Sequence, residues 1–418
     1  MARRAAIVGT GQTDHRSHRP DVNGRELIHE AVTRALEDCE LSIRDIDAIV
    51  IGNMDHFESI NYVDTWSIEG SGGSMKPIMK ITTGGTTGSS VAIAAYYHVA
   101  SGMFDRVLAI GWEKNSESDT TAAIVTCSDP IWDRFSYSGA IPSLATEASA
   151  YMEKYGATQE DAARVAVRDR NHALNNPHAH LRKPITLRDV MESPMLAYPI
   201  KLLDVCPRTD GACAAVFAAD GVAQKICPRP AWIKSCAVRH TYTWFGDADY
   251  NAGLESLKKA SGEAYRKAGI TEPAEELDAA ELYLPYSYAG LKWIEDLGFC
   301  GPGEGPRFVQ DGHTDMNGKI PVNPSGGVIS TNCIGATALL RVSEAAIQIM
   351  GKGGARQVPD VKNALATGFG GCFWSDVLVL SADNSSGPQR MAVVRITGIA
   401  AMVDKEASSG GRSVAVEG

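Results

Sequence analysis

One short run constrains the fold more than any other part of the chain. Val322-Asn323-Pro324-Ser325-Gly326-Gly327 is followed by Ser330-Thr331-Asn332-Cys333-Ile334-Gly335-Ala336-Thr337, so a glycine turn, an amide and a thiol gather at one point. Leu339, Val342, Ala345, Ala346, Ile349 and Met350 then recur at three and four residues. That spacing predicts an amphipathic helix with Gly335 and Ala336 at its N-terminus. The first backbone N–H groups of such a helix lack intrahelical partners and favour a developing negative charge, such as an enolate oxygen, without a metal.

The rest of the chain alternates in a way that suits such a loop. Ala5 to Val8 and Ile46 to Ile51 are short apolar runs ending in glycine, and between them Leu27, Ala31, Ala35 and Leu36 share one helical face. Val107 to Gly111 reads as a third buried strand after a helix from Ser89 to Ala100. The alternation predicts βαβ units. Gly9-Thr10-Gly11 lacks the third glycine of a dinucleotide fingerprint and reads as a tight turn.

From 113 to 198 the texture changes to tryptophans, Asp129-Pro130, Asn176-Pro177 and a helix opened by Thr158 with Asp161 three residues on, a capping-box spacing. This reads as an inserted loop domain. The strand–helix order restarts at Trp232-Ile233, with a helix over 252–268, a strand near Leu282, and strands over 364–372 and 377–380. Two halves in similar order indicate an internal duplication. The expected division is an N-terminal half over 1–112, the insertion over 113–198, completion of the first half over 199–230, a C-terminal half over 231–383, and a tail over 384–418 that docks elsewhere.

At 418 residues the chain exceeds one typical core, so two packed lobes are expected. A net charge of −10 and the lack of a basic tract argue against nucleic acid as a partner. The first residues run straight into a strand-like segment with no apolar stretch suited to a signal peptide or membrane span, so a cytoplasmic home is expected. Nine cysteines form no CxxC pair and no metal spacing, and read as reduced thiols.

With these residues in view, "VNPSGG…IGAT" resembles the C-terminal catalytic loop of the thiolase superfamily, in its sterol-carrier-protein or lipid-transfer branch. "ELYLPYSYAGLKWIEDLGFCGPGEG" (281–305) is similar to the segment that carries a catalytic histidine there. "PIKLLDVCPRTDGACAAVFA" (199–218) and "KITTGGTTGSSVAIAAYYHVASG" (80–102) resemble two further motifs, the second being the nucleophile turn and its helix. The four motifs stand in family order within a resemblance that spans positions 5 to about 383.

The resemblance implies an α/β thiolase fold: duplicated βαβ halves in a five-layer α/β/α/β/α protomer, assembled as a two-fold homodimer. It implies an acyl-CoA substrate, coenzyme A as a substrate rather than a tightly bound cofactor, no metal, and a partner subunit built from a zinc ribbon and an OB-fold. No membrane is implied.

Three departures from the family pattern bear on chemistry. Gly85 stands where the nucleophilic cysteine is expected, Tyr283 replaces the histidine of the second motif with Leu284 after it, and Asn332 matches the histidine of the third, with Cys333 at the next position. A thiolase needs a thiol whose proton is taken by a base, and a glycine cannot carry an acyl group. The candidate catalytic residues are therefore Tyr283, Asn332, Cys333 and Cys372, with Gly85, Gly335 and Gly371 as backbone donors. Tyr283 suits proton transfer and Asn332 suits holding an enolate or thioester oxygen.

Other motif residues read as structural. Cys206 and Cys300 read as packing, and His172, His178, His180, His240 and His313 as solvated or capping residues. Trp112, Trp132 and Tyr137 read first as local packing, with the lining of a pantetheine channel as the alternative. Three functions follow. The first is a thiolase-like acyltransferase acting on a 3-oxoacyl-CoA such as a benzoylsuccinyl-CoA. The second is a retro-aldolase acting on a 3-hydroxyacyl-CoA such as a steroid side chain, and the third a non-catalytic lipid-transfer or scaffold subunit. The motif texture favours the first.

Overall fold

The computed structural model describes residues 3–58, 63–241, 254–370 and 374–384. Nine strands make one mixed sheet: β1 (Ala5–Gln12), β2 (Ala48–Gly52), β3 (Ile78–Ile81), β4 (Arg106–Lys114), β5 (Asp210–Ala219), β6 (Ala231–Arg239), β7 (Ala279–Glu281), β8 (Asn363–Gly370) and β9 (Trp374–Ser381). Their order is β3-β2-β4-β5-β1-β6-β9-β8-β7.

The duplication is visible in the pairing. In the first half β3, β2 and β4 run parallel, and β5 and β1 join antiparallel. In the second, β7 and β8 are parallel and β9 and β6 join antiparallel, while Val322 bridges Ala280 in parallel as β3 pairs with β2. The two sets of strands pair with each other through Ala6 with Trp232 and Ile7 with Ala231.

Helices complete five layers. On the outside of the first half lies α1 (Gly24–Asp38), and between the two sets of strands lies α2 (Thr87–Ala100). The segment between β4 and β5 contributes α3 (Ala140–Tyr155) and α4 (Gln159–His172), and α5 (Glu255–Ala268) covers the outside of the second half. A short α6 (Ala289–Asp296) follows β7, and α7 (Thr337–Met350) lies beside α2 in the middle layer.

Local chemistry explains the starts of these helices. The Asn23 side chain accepts from the Glu26 N–H at 3.1 Å while Glu26 accepts from the Asn23 N–H at 2.8 Å, and Thr158 with Asp161 makes the same box for α4. Leu27, Ile28, Ala31, Val32, Ala35 and Leu36 form the buried face of α1.

Two expectations are corrected. Gly9 and Gly11 lie inside β1, not in a turn, and a Cβ on either would come closer than 3.0 Å to the α1 backbone at Ala31 or Ala35. These glycines let α1 pack directly on the strand. The periodicity of α7 gives it an apolar face, but every residue of the helix is buried. Its polar face is covered by partners: Glu344 pairs with Arg356 at 2.8 Å and accepts from Gln12 at 2.6 Å, and Arg341 pairs with Glu281. Gly88 lets α2 cross α7 at backbone contact, since a Cβ there would lie closer than 3.0 Å to the Leu339 nitrogen.

Among the described residues no helix is long and apolar enough to cross a membrane. The tail beyond Asn384 lies outside the described residues.

Candidate active site

The N-termini of α2 and α7 meet at the centre of the molecule, and each motif reaches this point on a different element. The loop before α7 is held by its own polar residues. Asn323 takes a left-handed φ of 52°, which asparagine tolerates. Its side chain accepts from the Leu282 N–H at 2.7 Å and donates to Asp169 of α4 at 2.9 Å. Ser325 donates through N and Oγ to Glu281, at 2.9 and 2.8 Å, and accepts from Arg341 at 2.6 Å. The buried His172, expected to be solvated or capping, instead donates to the Asn323 carbonyl at 3.1 Å. The segment between β4 and β5 therefore fixes the catalytic loop from outside.

Tyr283 and Asn332 come together around Thr337 and Cys206. The Tyr283 N–H donates to Thr367 Oγ1 at 2.9 Å, and its ring packs at 6.3 Å from Phe369 in a cluster with Val328, Ala338 and Cys206. Burial pushes the phenol well above its ordinary pKa. The nearby Cys206 acts in the same direction, and the Thr337 hydroxyl opposes it. Asn332 Nδ2 donates to Cys206 Sγ at 3.1 Å, and Asn332 Oδ1 accepts from Thr337 Oγ1 at 2.8 Å. Tyr283 and Asn332 are 5% and 8% exposed, so the pair sits in an almost closed site. Cys206 is half-buried; burial pushes its thiol up to about 11, and the Asn332 hydrogen bond pulls the other way.

The turn before α2 forms the opposite wall. Gly84 is left-handed (φ 65°), and a Cβ on Gly85 would come closer than 3.0 Å to the Phe369 carbonyl oxygen at the end of β8. Behind the turn, Thr86 Oγ1 donates to Thr83 Oγ1 at 3.1 Å, Thr83 to Ser90 at 2.8 Å, and Ser90 to Asp376 at 3.0 Å. Burial pushes Asp376 up to about 6, with the hydrogen bonds from Ser89, Ser90 and Trp374 opposing the shift.

The remaining candidates are placed elsewhere. Cys333 is fully buried with its thiol 3.4 Å from His15 Nδ1, and burial raises its pKa well above the ordinary value. Its hydrogen-bond partner is His15, just after β1, rather than Tyr283 or Asn332. Cys372 and Gly371 lie outside the described residues. The expected role of Gly335 as an oxyanion donor is corrected, because its N–H already donates to Glu113 Oε2 at 3.0 Å. Of the aromatic candidates, Trp112 is buried and stacks on Trp66 at 6.3 Å, whereas Trp132 is 69% exposed and Tyr137 is half-buried.

Glu113 carries a pH signature. It is fully buried, it also accepts from the Met54 N–H at 3.2 Å, and burial followed by the neighbouring Glu58 raises its pKa well above 4.5. A carboxyl whose pKa rises on folding contributes stability that is complete below the ordinary value and is lost as pH climbs through the raised one. Glu113→Gln keeps an acceptor for Gly335 and removes the titration. Thermal melts of this variant are expected to fall less than those of the wild type between about pH 5 and 9; parallel curves would refute the assignment.

Cys206 was missed because its partner Asn332 lies 126 residues away in sequence. The one signal available was its place in a family motif.

Comparison with known proteins bears on the fold and the family. Residues 5–195 match the family described as "Thiolase, N-terminal domain", and residues 239–382 match "Thiolase C-terminal domain-like". The chain is 32% identical to an acetyl-CoA acetyltransferase of Methanothermobacter thermautotrophicus, over 88% of this chain and 97% of that protein. It is also 32% identical to the 17-hydroxy-3-oxo-4-pregnene-20-carboxyl-CoA lyase of Mycobacterium tuberculosis, over 78% and 87%. The solved Ltp2-ChsH2(DUF35) aldolase superposes with a TM-score of 0.79 at 28% identity, covering 92% of this chain and 99% of that one.

Proposed function

The chain belongs to the thiolase superfamily and is an enzyme, and on that premise we propose that it cleaves or forms the carbon–carbon bond beside an acyl-CoA thioester by aldol chemistry on a 3-hydroxyacyl-CoA. The observation that carries this reading is the wall at Gly85. A thiolase-type acyl-enzyme needs a cysteine side chain there, and the Phe369 carbonyl occupies the space of its first carbon. Aldol cleavage needs no acyl-enzyme. It requires a base for the 3-hydroxyl proton, a donor to the thioester oxygen as the enolate forms, and an acid for C2.

Asn332 suits the second task. One of its two amide hydrogens is committed to Cys206, which leaves the other for a substrate oxygen. Tyr283 suits the third, as a phenol held protonated by burial. The lyase and aldolase among the relatives support the reading. It places aldol cleavage ahead of the acyl transfer that the motif texture favours.

Acyl transfer remains the second reading, supported by the acetyltransferase relative and by the Cys206 thiol beside Asn332. Product analysis separates the two. Aldol cleavage is expected to give one acyl-CoA and a ketone or aldehyde without free coenzyme A. Two acyl-CoA products, formed only when coenzyme A is supplied, would sink the first reading.

A homodimer that also carries a second subunit completes the proposal. The edge strand β3 leaves one side unpaired, Met75 beside it is fully exposed and Met79 within it is half exposed, a surface that suits pairing with a twin. The solved aldolase that carries a DUF35 component supports a second subunit, for which the family resemblance suggests a zinc ribbon and an OB-fold. Light scattering is expected to give at least twice the 44.6 kDa chain mass. A stable monomer at micromolar concentration would count against the dimer.

A further inference from the structure

We propose that Cys206 is the base of this site: its thiolate takes the 3-hydroxyl proton of the substrate while Tyr283 protonates C2, and Asn332 orients the sulfur. The inference rests on the aldol reading above. Three observations support it.

Cys206 sits in the same cluster as the two residues on which the chemistry converges. Its sulfur accepts from Asn332 Nδ2 at 3.1 Å, its N–H donates to the Pro285 carbonyl at 3.0 Å two residues beyond Tyr283, and it packs with Tyr283, Val328 and Ala338. Cys206 is also half-buried where Cys333 is enclosed, so of the two thiols it lies nearer the surface. Finally, a hydrogen bond donated to sulfur favours the thiolate over the thiol. Asn332 supplies one without being able to take the proton itself.

The proton balance closes within the pair. The Cys206 thiolate removes the hydroxyl proton, the C2–C3 bond breaks to a carbonyl compound and an enolate, and the Tyr283 hydroxyl gives its proton to C2. The site is then Cys206 thiol and Tyr283 phenolate. One proton passing from sulfur to oxygen restores the starting state. The thiol, pushed up to about 11, is the more acidic of the two, so as pH rises the proton leaves sulfur before it leaves the phenol, and the thiolate is the form that starts each turnover. The charged and titratable neighbours of the pair are Arg341, which favours phenolate, and Cys333, which opposes it.

The test compares the full-length wild type with Cys206→Ala, Cys206→Ser and Asn332→Ala. Steroid-, aryl- and alkyl-substituted 3-hydroxyacyl-CoA esters serve as substrates. Both Cys206 variants are expected to lose at least about a hundredfold in kcat with little change in KM. Wild-type kcat should rise about tenfold per pH unit above neutrality, a limb that Cys206→Ser should lack. Iodoacetamide alkylation mapped by mass spectrometry gives a readout independent of turnover: Cys206 should react, faster as pH rises, and more slowly in Asn332→Ala.

Undiminished cleavage by Cys206→Ala overturns the proposal and leaves the aldol reading standing. A native protein in which Cys206 resists alkylation up to pH 9 also overturns it. An acyl adduct on Cys206 with two acyl-CoA products instead overturns both, making this thiol an acyl carrier.

Discussion

Tyr283→Phe and Asn332→Ala are each expected to lower kcat by about a hundredfold or more, the usual cost of removing one proton-transfer group or one oxyanion donor. Tyr283→Phe removes only an oxygen, and the ring keeps its packing against Phe369 and Val328. Folding should therefore be intact, as circular dichroism and thermal melting would show. Asn332→Ala also strips the Thr337 hydroxyl of its acceptor, at a cost of about 1–3 kcal/mol, which a stable domain tolerates. Cys333→Ala, by contrast, should leave kcat almost unchanged, because its thiol faces His15. Full activity in the Tyr283→Phe, Asn332→Ala double variant would sink the whole site assignment.

Gly85→Cys is the second large effect. Restoring the family's nucleophile is expected to create no acyl-enzyme and to destabilise the protein by about 1–3 kcal/mol, the usual cost of forcing a side chain into a filled space. The obstacle is the Phe369 carbonyl oxygen on β8, a backbone atom that cannot swing aside as a side chain would. Displacing it would also pull on Tyr283, which packs against Phe369 and hydrogen-bonds Thr367 of the same strand. Denaturant melts measure the first consequence, and mass spectrometry of enzyme quenched with a 3-oxoacyl-CoA measures the second. An acyl adduct on the introduced thiol of Gly85→Cys, in a variant of near wild-type stability, would show that the turn is compatible with thiolase chemistry and would remove the main support for aldol cleavage.

Proton inventory ties these variants together. Tyr283 is held protonated by burial, Asn332 does not titrate, and the described histidines nearest the loop make contacts away from Tyr283: His15 with the Cys333 thiol, His172 with the Asn323 carbonyl and His180 with Thr209. Among the described residues at this cluster, Cys206 is the half-buried titratable group that remains.

Much of the architecture was legible in the sequence because local rules fixed it. The capping residue at Thr158, the apolar face of α1 and the runs at β1, β2 and β4 each depend on neighbours within a few residues. The order of four motifs carried the family, and the replacements at positions 85, 283 and 332 carried the warning that its usual chemistry was altered. Those replacements say which groups are missing. They do not say what stands in the vacated space.

That was decided by tertiary contacts. The Gly335 N–H looked free because helix ends leave N–H groups unpaired, but Glu113, 222 residues away in sequence, had filled it. Gly9 and Gly11 had the spacing of a turn, yet they serve the close approach of α1 to its strand. The periodicity of α7 shows an apolar face, but its polar stripe is buried too, because Glu281 at the end of β7 and Arg356 in the turn after the helix pair with Arg341 and Glu344. Cys206 lies 126 residues from Asn332, a distance over which no periodicity operates. The sequence by itself determined the elements, their order and the residue types available for chemistry. Only the folded structure decided which of those groups face one another, because contact between distant segments depends on how whole layers pack and not on any local pattern.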